Sequence, residues 1–235
     1  MHIVAKTPIF AGMRISRKER FARLIEYFSE HMPQAETELM HTDPYQLIVA
    51  VILSAQCTDK RVNMITPALY QRFPDVSSLA AASHEDVFKL IKSCSYPNNK
   101  TKHLIAMAQM VVRDFNGIVP SSREDLQKLP GVGRKTANVV ASVAFSKPAM
   151  AVDTHVFRVA ARIGLTWKAK NPLQAELQLV QHIPERRINI AHHWLILHGR
   201  YICTARKPKC DQCGIRDYCK YFQKTVSKSS GLTGK

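Results

Sequence analysis

Apolar residues return at every third or fourth position along most of the chain, as at Val87, Leu90, Ile91 and Cys94, and again at Leu104, Ala108, Val111 and Phe115. That is the spacing of one face of an α-helix, and no stretch shows the alternation of a sheet strand convincingly. Helix starts are marked by Ser83 ahead of Glu85 and Asp86, and by Ser121 with Glu124 three residues on, a capping box after Pro120. Breaks fall at His41-Thr42-Asp43-Pro44, Arg72-Phe73-Pro74-Asp75, Tyr96-Pro97-Asn98-Asn99, Phe115-Asn116-Gly117, Leu129-Pro130-Gly131 and Lys170-Asn171-Pro172. The pattern predicts an all-α chain of roughly nine or ten short helices joined by tight turns. From Lys224 to Lys235 the apolar period is lost, and a disordered basic tail is expected over 224–235.

The 235 residues carry 34 Lys and Arg against 18 Asp and Glu, a formal charge of +16. An excess of this size points to a polyanionic partner. Duplex DNA, with one negative charge per roughly 1.7 Å of axis, would bind such a surface by counterion release; ribosomal or membrane-surface adhesion is the alternative on charge alone. No run approaches the ~20 apolar residues of a membrane span, and Met1 to Ile15 lacks the apolar core of a cleavable signal, so no membrane association and an intracellular site are expected. In a reducing compartment six cysteines are unsuited to a disulfide framework. Their spacing is then a matter of metal ligation or chance.

Residues 126–140 hold the most informative motif. A helix is expected to end at Leu129, Pro130 and two glycines turn the chain, and a second helix begins near Arg134 with Ala137, Val140, Ala141 and Ala144 on its apolar face. Val132 can plug the gap between the two helices. Gly131 and Gly133 let backbone N–H groups approach an anion at a helix start whose dipole favours negative charge. Beside Arg134 and Lys135 in so basic a chain, a DNA phosphate suits the turn; an ordinary helix–helix turn is the plainer alternative. The dipole's positive end disfavours a permanent cation at Lys135 and favours the neutral amine, a nucleophile that forms Schiff bases. The simpler reading of Lys135 is one more phosphate contact, and that of Asp153, just ahead of the amphipathic run 154–159, is an N-cap.

Cys203, Cys210, Cys213 and Cys219 give the spacing C-x6-C-x2-C-x5-C. Four thiolates hold an iron–sulfur cluster or a tetrahedral zinc equally well, although zinc ribbons usually bring two separate CxxC pairs. Arg206, Lys207 and Lys209 between the first two cysteines could grip a phosphate backbone. Cys57 and Cys94 fall outside the pattern and are expected to be buried structural thiols. His192, His193 and His198, on a Trp- and Leu-rich helix, are expected to serve packing.

The segment Leu129-Pro130-Gly131-Val132-Gly133-Arg134-Lys135-Thr136-Ala137, followed by Val152-Asp153-Thr154-His155-Val156, resembles the helix-hairpin-helix signature and catalytic loop of the endonuclease III family. The resemblance extends to residues 53–59 and 192–201 and covers about 20–223. It implies a two-domain fold in which a six-helix domain, 37–147, is inserted into a cluster-bearing domain formed by 1–36 and 148–223. It implies that Lys135 is the amine nucleophile and Asp153 its assisting carboxylate, and that Gln56 lies in a loop filling the hole left by an extruded base. It also implies a 4Fe–4S cluster on the four cysteines. The implied activity is excision of oxidised or damaged pyrimidines with β-elimination 3′ to the abasic site; a mismatch-specific monofunctional relative and a non-catalytic DNA-binding module are the alternatives. The expected partner is double-stranded DNA with damaged bases or abasic sites, and a monomer in a bacterial cytoplasm is expected to meet it.

One departure stands out. Where the family commonly has a Gly-Leu-Tyr-Asn turn ahead of a Ser-Lys pair, this chain reads Ser95-Tyr96-Pro97-Asn98-Asn99-Lys100, placing Tyr96 where relatives carry a leucine wedge. Pro97 biases Tyr96 toward an extended backbone. A ring held at the tip of that turn can stack between base pairs; a ring folded back on its own helix cannot.

Overall fold

The computed structural model describes residues 15–230, with side chains through residue 225. Among the described residues the helices are α1 (Arg17–His31), α2 (Pro44–Ser54), α3 (Asp59–Arg72), α4 (Val76–Ala80), α5 (His84–Ile91), α6 (Pro97–Asp114), α7 (Arg123–Leu126), α8 (Arg134–Phe145), α9 (Thr154–Ile163), α10 (Pro172–Val180), α11 (Ile188–Tyr201) and α12 (Lys220–Ser230), with three short 3-10 turns and no strand. No described helix is long and apolar enough to cross a membrane. The chain divides into two units, Glu36–Ala151 and a discontinuous one built from Met1–Ala35 and Val152–Lys235.

Most helices start where a short polar side chain closes the first turn. Ser16, Asp43, Thr58, Asp75, Ser83, Ser122, Asp153 and Asn171 each accept the backbone N–H of the third residue of their helices, a contribution of about 1 kcal/mol apiece. The cap of α7 is Ser122, not Ser121. Its Oγ accepts from the Asp125 N–H at 3.0 Å and donates to Asp125 Oδ2 at 2.7 Å, so the carboxylate three residues ahead decides the register. By contrast, α6 and α8 have no side-chain cap; their N-cap residues are Tyr96 and Gly133.

In unit 36–151, α2 is the central helix. Every residue from Leu47 to Leu53 is buried, so it is apolar all round, as a helix enclosed by others must be. Helices α3, α6 and α8 pack against it, and α6 also carries α4 and α5. The first arm of the hairpin is shorter than expected: α7 ends at Leu126, and hydrogen-bonded turns take the chain on to Leu129.

In the discontinuous unit, α9 packs on α11, and Trp194, fully buried, stacks on Phe28 of α1 at 5.8 Å and donates from Nε1 to the Met32 carbonyl at 2.7 Å. Arg20 of α1 donates to Tyr218 O at 2.9 Å and to Gln223 Oε1 at 3.1 Å. A Cβ on Gly214 would run into the Tyr27 ring, so glycine is what lets the cysteine-bearing loop lie against α1. The tail expected to be structureless from 224 is instead helical through Ser230. Arg162 lies 5.0 Å over the Tyr221 ring at the start of α12, and once that turn is nucleated each further residue adds a hydrogen bond at small cost. Residues 231–235 lie outside the described residues.

Candidate active site and cysteine centre

The hairpin 126–134 is built around two glycines with different tasks. Gly131 has φ +78°, and a Cβ there would meet His103 Cβ at 2.8 Å, so the turn lies tight against α6. Gly133 has ordinary φ, and nothing lies within 4 Å of where its Cβ would be. Val132 is buried between them, and Ala137, Val140 and Ala141 of α8 are buried behind. The leading N–H groups of α8 therefore open outward with no side-chain cap, beside Arg134 and an exposed Lys135 at the first two helical positions. That is an anion site in its physics. On the same helix Asn138, buried, donates from Nδ2 to Met150 O at 3.0 Å, which ties α8 to the segment that follows it.

Gln56 and Tyr96 are brought together by the fold of unit 36–151. Ser95 Oγ donates to Gln56 O at 2.5 Å, and the Cys57 and Cys94 sulfurs lie 3.6 Å apart. Burial, with the Cys57 sulfur beside it, pushes the Cys94 thiol up to about 11, so Cys94 is held as a thiol. Cys94 is buried as expected, whereas Cys57 is only half-buried. Both side chains of interest are exposed, Tyr96 by 61%. Tyr96 is not extended: its φ and ψ are 55° and 48°. Pro97 excludes the right-handed helical region for its predecessor, and the left-handed region satisfies that restriction while reversing the chain at once into α6. Gln56 is left-handed too, with φ 53°. Such conformations cost non-glycine residues about 1–3 kcal/mol and persist only where surroundings impose them.

In the discontinuous unit Asp153 is the N-cap of α9, its Oδ1 accepting the Val156 N–H at 2.8 Å. Cys203, Cys210, Cys213 and Cys219 line one cavity that has Ile163, Ile202, Ile215 and Phe222 in its wall and no carboxylate. Burial and mutual repulsion of the four sulfurs push the Cys213 thiol up to about 12 and raise Cys219 and Cys210 as well. Arg206, Lys207 and Lys209 are exposed on the loop between the first two cysteines. Arg162 fixes that loop by donating to Thr204 O and Ala205 O, both at 2.7 Å. His198 and His192 are buried and His193 is half-buried; burial pushes His193 and His198 down to about 4.

Residues 49–185 match the HhH-GPD superfamily base excision DNA repair protein family, and 203–219 the iron-sulfur binding domain of endonuclease III. The chain is 46% identical to endonuclease III of Rickettsia felis over 87% of its length and 95% of the relative's. It is 42% identical to that of Escherichia coli over 88% and 98%. This chain belongs to the endonuclease III family. A trapped endonuclease III–DNA covalent intermediate superposes with a TM-score of 0.85 at 38% identity, over 91% of this chain and all of that one. A thermostable thymine-DNA glycosylase follows at 0.77 and 26%, over 88% and 97%.

As an endonuclease III family member with the iron-sulfur segment, the chain binds a 4Fe–4S cluster, and its residues suit one. Four soft ligands without a competing carboxylate repel one another as thiolates and need a cationic group among them. Sequence reasoning missed the groups that brace this centre. Arg158 donates to Cys203 O at 3.2 Å, Arg162 Nη1 lies 3.5 Å from Cys203 Sγ, and His198 Nε2 lies 3.7 Å from Cys213 Sγ. Only the helical spacing of Arg158 and Arg162, one turn apart, hinted that they share a face.

Proposed function

We propose that this chain is a bifunctional DNA glycosylase of base excision repair that removes oxidised or otherwise damaged pyrimidines from duplex DNA and cuts the strand 3′ to the resulting abasic site. The uncapped N-terminus of α8, with Lys135 exposed at its second position, carries the reading. Backbone N–H groups at Gly131 and Gly133 with Arg134 hold a phosphate near the lesion, while Val132, its own N–H donated to Leu129 O, keeps the turn in shape. The damaged nucleotide rotates out of the stack at a cost of a few kcal/mol, and Gln56 and Tyr96 fill the space it leaves.

Lys135 Nζ, as the neutral amine, then attacks C1′. The new N–C1′ bond forms as the glycosidic bond breaks, its electron pair leaving with the base, which takes up a proton. Asp153 accepts the proton shed by Lys135 or stabilises positive charge developing on the sugar. Opening of the sugar ring gives a Schiff base whose C2′ proton is acidic. Loss of that proton expels the 3′ phosphate oxygen, and water releases the lysine. Cys203, Cys210, Cys213 and Cys219 would hold the cluster, whose role is to fix the loop presenting Arg206, Lys207 and Lys209 to the DNA backbone. One chain carries the hairpin, the gap-filling turns, the carboxylate and the cysteine loop, which supports action as a monomer, and the bacterial relatives support a bacterial cytoplasm.

Borohydride reduction of the reacting complex tests the assignment. Lys135→Gln is expected to give no trapped protein–DNA adduct and no strand cleavage, while still binding an abasic-site analogue within about threefold of the parent, since one phosphate contact is worth little beside the rest. Undiminished trapping in that variant would falsify the role of Lys135.

A further inference from the structure

Lys100 is only 5% exposed, unusual for a lysine, and its ammonium is hydrogen-bonded to oxygens. Nζ donates to Leu53 O, in the last turn of α2, at 2.7 Å and to Ala55 O, its C-cap, at 2.8 Å, with Ser95 Oγ as a longer third acceptor at 3.5 Å. Three N–H donors thus face three acceptors, the inventory of the charged form. Burial lowers its pKa, and the Cys94 and Cys57 sulfurs oppose that.

A cation at a helix C-terminus is common enough and would by itself be structural. What sets this one apart is the pair of turns it joins. Ser95 Oγ donates onward to Gln56 O, and the Lys100 N–H donates to Tyr96 O at 3.1 Å. One residue is therefore connected, through its backbone on one side and its ammonium on the other, to both left-handed non-glycine residues of this face, Gln56 and Tyr96. Neither turn has a glycine to make its conformation easy.

We propose that Lys100 is a positioning residue of the repair reaction, holding Gln56 and Tyr96 in the left-handed conformations from which their side chains enter the gap left by the extruded base. This rests on the gap-filling reading given above. The ammonium supplies what an apolar residue of the same length cannot. It draws the end of α2 toward the start of α6, so the two exposed side chains arrive at the DNA already placed instead of being ordered at the moment of binding.

The holoenzyme carrying Lys100→Met tests this by two measurements. Single-turnover excision of a paired oxidised pyrimidine is expected to slow at least tenfold, and cleavage at a preformed abasic site, which needs less extrusion, less than threefold. Amide exchange at Ala55, Cys57, Cys94 and position 100, whose N–H groups are hydrogen-bonded in or beside the two turns, is expected to accelerate at least tenfold, with exchange in the middle of α2 unchanged. In a Gln56→Ala, Tyr96→Ala background the same substitution is expected to add less than twofold on the paired lesion. Equal losses on both substrates, full additivity in that background, or unchanged exchange in the two turns would each overturn the proposal. If the turns loosen but the Gln56→Ala, Tyr96→Ala protein excises the paired lesion at the parent rate, the gap-filling reading is what fails, and the clamp has no part in the reaction. Should Lys100→Met not fold, Ser95→Ala removes the hydroxyl link alone. It is expected to shift both measurements the same way by at least threefold, and no shift would equally overturn the proposal.

Discussion

At the scale of single residues, several side chains carry a structural duty that would by itself explain their presence. Asp153 caps α9, so substitution to alanine would confuse a lost cap with lost chemistry. Asparagine keeps the cap and removes the charge. Asp153→Asn is therefore expected to slow single-turnover excision by about 10²–10⁴, the usual weight of a positioned acid–base group, with affinity for an abasic analogue within threefold. A rate equal to the parent's would leave Asp153 as a cap and nothing more. His198 shows the opposite case. The packing role read from its Trp- and Leu-rich helix holds in part, since it is buried edge-on to Phe28, yet its Nε2 also reaches Cys213, a contact no local pattern encodes.

At the scale of elements, what could be read in advance was whatever depends on neighbours in sequence. The start of α8 at Arg134, its buried face and the plug at Val132 all follow from spacing and glycine chemistry within fifteen residues. The conformation of Tyr96 did not follow, because Pro97 restricts its predecessor without choosing between the two permitted regions, and the choice belongs to Ser95, Gln56 and Lys100 across about forty residues of chain. The short α7, the shift of its cap to Ser122 and the helical residues beyond Lys224 are boundary effects of the same kind, decided by one carboxylate or one ring contact. The hairpin offers a quantitative test at this scale. Gly131→Ala introduces both a strained positive φ and a clash with His103, each about 1–3 kcal/mol, and at about 2–4 °C per kcal/mol for a chain of this size the two together lower Tm by about 4 °C or more. Adding His103→Ala should recover part of the loss, because it relieves the clash and leaves the backbone strain. A Tm unchanged in Gly131→Ala would show the hairpin able to move off α6.

For the molecule as a whole, division into two units predicts a divided response to loss of iron. Anaerobic chelation is expected to raise amide exchange across 203–219 and in α1, which Arg20 and Tyr27 connect to that loop. The core of 36–151, centred on the enclosed α2, should keep its protection. Uniform loss of protection over both units would contradict that independence. The same topology sets an order of events during synthesis. Helix α1 leaves the ribosome ahead of 36–151, but the residues that hold it, at 194–223, follow about 165–190 residues later, a delay of about 8–40 s at ordinary elongation rates. In that interval 36–151 can complete its own core, while the amphipathic α1, with Phe21, Leu24 and Phe28 uncovered, has nothing yet to pack on. The nascent chain must therefore expose this greasy stripe until 194–223 has been made, and cluster insertion belongs to the same step. During that step a chaperone has its clearest opportunity to bind.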